Sequence, residues 1–258
     1  MPELAEVKIM SEYINHINKT ETFIGLEKSN ENKNPKIEID FKRFTVSSTS
    51  RGKELMVKIT DTTTNESKKV LMGMGMSGNW VFIEKGPTPK HAHLIFHTDW
   101  GGRLCMVDVR RFSRWKESDT WSDNRGPCML TEWEEFVTNL SNNSHRKIFE
   151  KPIYELMLDQ KYFNGMGNYL RAEILDRANQ NPFVSAREAI KNNGMLSLCD
   201  TVVEEAYQLG GGQLSQWINP YFNDKISFRQ WMKCYTKKES LKDKSGRTFW
   251  YDKKYITN

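Results

Sequence analysis

No C-x-x-C pair occurs anywhere in this chain of 258 residues, and its four cysteines, Cys105, Cys128, Cys199 and Cys234, stand far apart. That spacing argues against a zinc ribbon and reads as buried thiols in a reducing compartment. Equally missing is any unbroken apolar run near the roughly 20 residues that a membrane span needs, so no membrane partner is expected. The first 20 residues lack the basic start and apolar block of a secretory signal, being broken by Glu3, Glu6 and Glu12. They point to an intracellular protein, nuclear if its source is eukaryotic, with a working N-terminus. No internal repeat is found.

What the chain does have is enough apolar sequence, 38% of its residues, for one large core or two modest ones. The net charge of +5 is modest, yet residues 229–258 hold nine Lys/Arg against three Asp/Glu. A local excess of that kind suits a polyanion-facing surface, and equally a solvated charged face.

Leu4, Val7, Met10, Ile14 and Ile17 recur at spacings of three and four, which predicts a helix over 3–17 with Pro2 preceding or opening it. From about 22 to 120 short alternating runs such as "KIEIDF", "LMVKIT", "HLIFHTD" and "RLCMVDV" predict a β-sandwich or barrel, with "SNENKNPK" as a loop between strands. After "SDNRGPCML" helices are expected in "LTEWEEFVTNLSNN", "IYELMLDQKYF", "NYLRAEILDRA" and "MLSLCDTVVEEAYQLG", the last stopped by glycines. A domain boundary follows, dividing 1–127 from 128–258. Around "KSGR" near the C-terminus, aromatic and basic residues alternate as in a hairpin whose turn presents Arg247.

Several stretches could carry chemistry. If Met1 is removed, Pro2 carries a secondary amine; an α-amino group with a pKa of about 8 is partly unprotonated at neutral pH. Such an amine can form an iminium with a sugar carbon, and the adjacent Glu3 can supply acid and base. "NGMGNYLRAEIL" aims helix N-terminal amides and Asn168 outward, as suits a phosphate, or forms a plain glycine-held corner. "VRRFSRW" sets Arg110 beside Phe112, combining charge with a wedge that could enter a base stack, or ends a strand with solvated arginines. His91 and His93 have no carboxylate or cysteine at ligand spacing and read as structural or phosphate-facing.

Taken together, "MPELAEV", "RGKEL", "GMSG", "VRRFSRW", "ELMLDQKYFNGMGNYLRAEIL" and "GRTFWY" resemble, in order and over nearly the whole chain, the formamidopyrimidine-DNA glycosylase and endonuclease VIII family. The missing cysteine set and "RQWMKCY" resemble most its zincless endonuclease VIII-like 1 branch. The resemblance implies an α+β fold: an N-terminal helix with a β-sandwich, then a helical domain with a helix-two-turn-helix motif and a zincless β-hairpin finger at about 234–254.

It also implies roles. Pro2 would attack C1′ of the damaged nucleotide and become a Schiff base, with Glu3 shuttling protons on the opening sugar. Lys53 would grip a phosphate and donate the proton for β-elimination; Arg247 would bind phosphates flanking the lesion and assist δ-elimination. Asn168 would hold the lesion-side backbone, while Met76, Arg110 and Phe112 would fill the gap left by an everted base. Ala5 stands where the family usually has proline, Ser113 where glycine is frequent, and no basic residue lies near Gly212.

The expected activity is therefore that of a bifunctional DNA glycosylase and abasic-site lyase, needing no metal or organic cofactor. Its expected substrates are oxidised pyrimidines and formamidopyrimidines in damaged duplex, single-stranded or bubble DNA, and it is expected to act as a monomer. Against it stand a non-catalytic binder of damaged or branched DNA, and a helix-two-turn-helix protein of the ribosome or a topoisomerase. The former would shift an abasic duplex without cutting it. The latter would leave Pro2 and the β-sandwich motifs unexplained.

Overall fold

The computed structural model describes residues 2–212 and 227–255. Two compact units arise: one holds Pro2, residues 6–122 and Gly212, the other residues 3–5, 123–211 and 227–255.

The first unit begins with helix α1 (Leu4–Ile17), which contributes its residues from Glu6 onward, and continues as strands β1 (Gly25–Lys28), β2 (Phe44–Arg51), β3 (Glu54–Asp61), β4 (Ser67–Gly73), β5 (Asn79–Ile83), β6 (Ala92–His97), β7 (Arg103–Val107) and β8 (Arg114–Glu117). They form two antiparallel sheets, ordered β1-β6-β7-β5 and β2-β3-β4-β8. The alternation read from the sequence sets which side chains turn inward: Phe44 and Val46 from β2, and Leu55, Val57 and Ile59 from β3, enter one core with Trp80, Leu94, Phe96 and Leu104. Each such side chain contributes about 1.5–3 kcal/mol when fully buried. Val7, Met10, Tyr13 and Ile14 of α1 complete that core. The inward Ser48 is satisfied by donating to the Ser11 carbonyl at 2.9 Å.

"KIEIDF" forms no strand, contrary to its alternation. Ile37 is buried, and Ile39 and Phe41 pack against the same core, so the pattern reports a packed face without a paired backbone. Pro35, whose carbonyl accepts from Trp115 Nε1 at 2.9 Å, leads into this segment.

The second unit contains α2 (Trp133–Asn143), α3 (Ile153–Leu156), α4 (Asn168–Arg177), α5 (Ala186–Ala189), α6 (Asn193–Gln208), α7 (Phe228–Trp231) and a hairpin of β9 (Glu239–Lys242) and β10 (Thr248–Tyr251). Helix α4 lies at the centre, with every residue from Tyr169 to Leu175 buried. The end of α6 is a Schellman motif: Gly211 N–H reaches the Ala206 carbonyl at 2.8 Å and Gly210 N–H the Tyr207 carbonyl at 3.0 Å. Gly210 and Gly211 both have positive φ there.

The long helix expected over 153–163 is one turn, Ile153–Leu156. Side chains capture the backbone beyond it: Asp159 Oδ1 accepts from Lys161 N–H at 3.0 Å. Gln160 donates to the Leu158 and Met166 carbonyls, both at 3.0 Å, and accepts from Gly165 N–H. These turns join α3 to α4 as the helix-two-turn-helix element.

Candidate nucleic-acid interface

In the second unit Glu3 is buried at the N-terminus of α4, where its carboxylate accepts from the amides of Tyr169 at 3.0 Å and Leu170 at 3.3 Å. Those amides were expected to face a phosphate; an internal carboxylate occupies them instead. Two donors and the positive helix end stabilise negative charge at that point. Glycines make room for it. A Cβ on Gly167 would stand 2.1 Å from Glu3 Cδ, and one on Gly165, whose φ is +104°, would stand 2.3 Å from Leu4 Cδ1. Asn168 opens the helix, and its Oδ1 is buried without a hydrogen-bond partner.

Arg247 sits in the turn between β9 and β10 with its side chain exposed, as the "KSGR" pattern predicts. Helix α4 holds this hairpin from within. Glu173, fully buried, accepts from the amides of Lys233 (2.8 Å), Cys234 (2.9 Å) and Tyr235 (2.9 Å) just before β9. Lys238 bridges Asp176 at 2.6 Å and Asp252 at 3.0 Å. Charged side chains of one helix thus organise the finger; sequence reading missed them.

In the first unit Met76 and Phe112 are 40% and 48% exposed, unusual for large apolar side chains. Their loops meet through Gly75: a Cβ there would come within 2.6 Å of the Phe112 carbonyl carbon, and its φ is +60°. The Arg110 guanidinium lies 4.8 Å from the centre of the Phe112 ring. All three predicted void-filling residues are therefore brought together.

Buried Asp108 shapes these loops. Its carboxylate accepts from Ser77 Oγ, Arg110 N–H (3.2 Å) and Ser113 N–H (2.7 Å), and its carbonyl takes Arg111 N–H (3.2 Å) and contacts His93 Nε2 (3.0 Å). Arg111 is held at a φ of 55°, a strained conformation for a non-glycine residue. "SNENKNPK" proves to be a buttress: the Asn34 amide donates to the Ser113 carbonyl at 3.1 Å and accepts from Trp115 N–H at 3.3 Å. The backbone of Ser113, in place of a glycine, is pinned on both sides.

Burial pushes the Asp108 carboxyl up, but hydrogen bonds from Ser77, Ser113 and Arg110 outweigh it and hold the group below its ordinary 3.8. A depressed folded value gives stability that is complete above the unfolded value and lost as pH falls through the folded one. Asp108→Asn should therefore be destabilised at pH 7, with the gap to wild type closing below about pH 3.8. Denaturant titrations at pH 7 and pH 3 test this.

Lys53 occupies the two-residue loop between β2 and β3, half-buried after Gly52 at a φ of 57°. Glycine first with positive φ is the II′ hairpin signature. Pro2 is buried, two residues before the start of α1. The expected loss of Met1 lies outside the described residues. His93 is a buried structural residue of β6, while the four thiols are all buried, with Cys199 and Cys234 pushed by burial to about 12. Among the described residues no His, Cys, Asp or Glu cluster is placed to hold a metal ion, and no helix is long and apolar enough to cross a membrane.

Residues 1–115 match the formamidopyrimidine-DNA glycosylase N-terminal domain, and residues 224–254 match the endonuclease VIII-like 1 DNA-binding domain. The human endonuclease 8-like 1 is 35% identical over 97% of this chain and 72% of its own length. The chain belongs to the formamidopyrimidine-DNA glycosylase and endonuclease VIII family. Membership makes it a DNA-binding glycosylase of DNA repair. A bacterial relative, formamidopyrimidine-DNA glycosylase of Cytobacillus firmus, is 29% identical over 85% of this chain and 83% of its own. The Lactococcus lactis enzyme in complex with DNA containing an oxidised pyrimidine shares the fold, with a TM-score of 0.76 at 18% identity over all of both chains. The Thermus thermophilus enzyme superposes with a TM-score of 0.75 over 98% of each.

Proposed function

We propose that this protein removes oxidised bases, mainly pyrimidines and also formamidopyrimidines, and then cuts the abasic strand by β,δ-elimination. The observation that carries this reading is the Glu3 carboxylate, buried on the first amides of α4 and covalently next to Pro2. With Met1 removed, the Pro2 nitrogen bonds to C1′ as the glycosidic bond breaks and the base leaves with a proton. The Glu3 carboxylate takes the proton that the Pro2 nitrogen sheds on bonding and passes it to the ring oxygen as the bond from C1′ to that oxygen breaks, leaving an iminium between Pro2 and C1′.

The iminium acidifies the neighbouring C2′ proton. Its loss expels the 3′ phosphate, and Lys53 serves that step as proton donor while gripping a phosphate. A second elimination expels the 5′ phosphate, assisted by Arg247. Asn168 binds the backbone on the lesion side. Everting the nucleotide costs a few kcal/mol of stacking, which Met76 and Phe112 offset by filling the gap, while Arg110 hydrogen-bonds the orphaned base. The protein acts as a monomer on damaged duplex, with single-stranded and bubble DNA as further substrates.

An abasic duplex and a thymine-glycol duplex separate enzyme from binder. Strand scission of the first and base release from the second are the expected results. A gel shift without scission would leave only a binder of damaged DNA.

A further inference from the structure

Arg171 is wholly buried in α4, three residues after Asn168, and no step above uses it. Its Nη1 donates to the Tyr154 carbonyl at 2.8 Å and its Nη2 to Asp243 Oδ2 at 3.3 Å, with the guanidinium 4.9 Å from the centre of the Phe249 ring. Asp243 commits its other oxygen to the hairpin turn. Oδ1 accepts from the amides of Ser245 (3.0 Å) and Arg247 (2.9 Å) and from the Ser245 hydroxyl (2.6 Å). The Asp243 N–H meanwhile donates to the Arg247 carbonyl at 2.9 Å.

One residue therefore holds Arg247 by both its N–H and its carbonyl, and a buried cation holds that residue. Apolar side chains could fill the same space without desolvating two charges, so a buried ion pair here is poor evidence for stability. What the pair adds is direction: it runs from the helix that opens with Asn168 to the turn that carries Arg247. A guanidinium binds phosphate through a planar fork, which demands orientation as well as proximity.

We propose that Arg171 and Asp243 are positioning residues for Arg247, and that their ion pair fixes Arg247 and Asn168 at one spacing along the phosphate backbone. This rests on the reading of Arg247 as a phosphate ligand. Loss of the pair releases the turn, and Arg247 then no longer holds its phosphate.

The test uses the full chain and a duplex carrying a tetrahydrofuran abasic analogue, with affinity measured across a salt series. Arg247→Ala should lower the slope of log affinity against log salt by about 0.9, the loss of one phosphate contact. Arg171→Met and Asp243→Asn should lower it equally, and Arg171→Lys should restore part of it. Arg171→Met combined with Arg247→Ala should bind within threefold of Arg247→Ala alone, since coupled residues are non-additive. Lys238→Met, which breaks a different tie of the hairpin, should keep the wild-type slope.

An Arg171→Met protein with lower melting temperature but an unchanged slope would overturn the proposal, as would additivity in the double variant. Should Arg171→Met fail to fold, Asp243→Asn carries the comparison, because asparagine retains the acceptor for the turn amides. Wild type that binds this analogue but cuts no abasic strand would refute the lyase reading while the slopes still decide the role of Arg171. Wild type that does not bind the duplex would refute the positioning role itself.

Discussion

Glu3→Gln should lower base release from lesion DNA by roughly 10²–10⁴-fold, the range lost when a positioned acid-base group is removed. The substitution keeps the size of the side chain, so the tight contact with Gly167 survives. It nonetheless replaces one acceptor oxygen by an amide nitrogen that faces an N–H donor, Tyr169 or Leu170. Negative charge at the start of α4 disappears with it, and so does the proton shuttle. Single-turnover base release, with circular dichroism as the check on folding, measures the effect; activity within tenfold of wild type would remove Glu3 from the chemistry.

Glu173→Leu, a change in α4, should strongly destabilise the finger. Three amides share this carboxylate, that of Cys234 buried and those of Lys233 and Tyr235 partly buried; an orphaned buried donor costs about 1–3 kcal/mol, a partly solvated one less. The loss of several kcal/mol should appear first as local opening of residues 233–251, seen as faster amide exchange there than in α2. Uniform exchange with an unchanged melting temperature would show that the finger is held elsewhere. Family resemblance implies a finger without zinc, and the structure supplies a reason it stands: carboxylates and guanidinia of α4 do the tethering.

Much of the fold was legible because its periods are clean. The spacing of Leu4, Val7, Met10 and Ile14 marks α1, and each of the four is buried; "KSGR" marks the hairpin turn that exposes Arg247. Where legibility failed, side chains had competed with the backbone or packing had done the work of pairing. Gln160 and Asp159 end the helix that "IYELMLDQKYF" suggests, and Ile37 is buried without a strand.

The candidate site was legible as residue types but not as a support system. "VDVRRF" alone does not show that Asp108 will tie two loops together, because its partner Ser77 lies 31 residues away, although Arg110 and Ser113 are local. One signal was available. Arg171 and Glu173 stand two apart in α4, about 200° around its axis at 3.6 residues per turn, so both cannot share one solvated face. Such a pair calls for internal partners, and the finger provides them.

Trapping with borohydride tests the proposed chemistry most directly. Reduction of the iminium during incubation with lesion DNA joins protein to DNA permanently, and peptide mass mapping then identifies the bonded residue. The expected result is a single adduct on the Pro2 nitrogen of Met1-free protein, abolished when Met1 is retained. An adduct mapped to Lys53 or any other lysine, or no adduct from active wild-type protein, would contradict it.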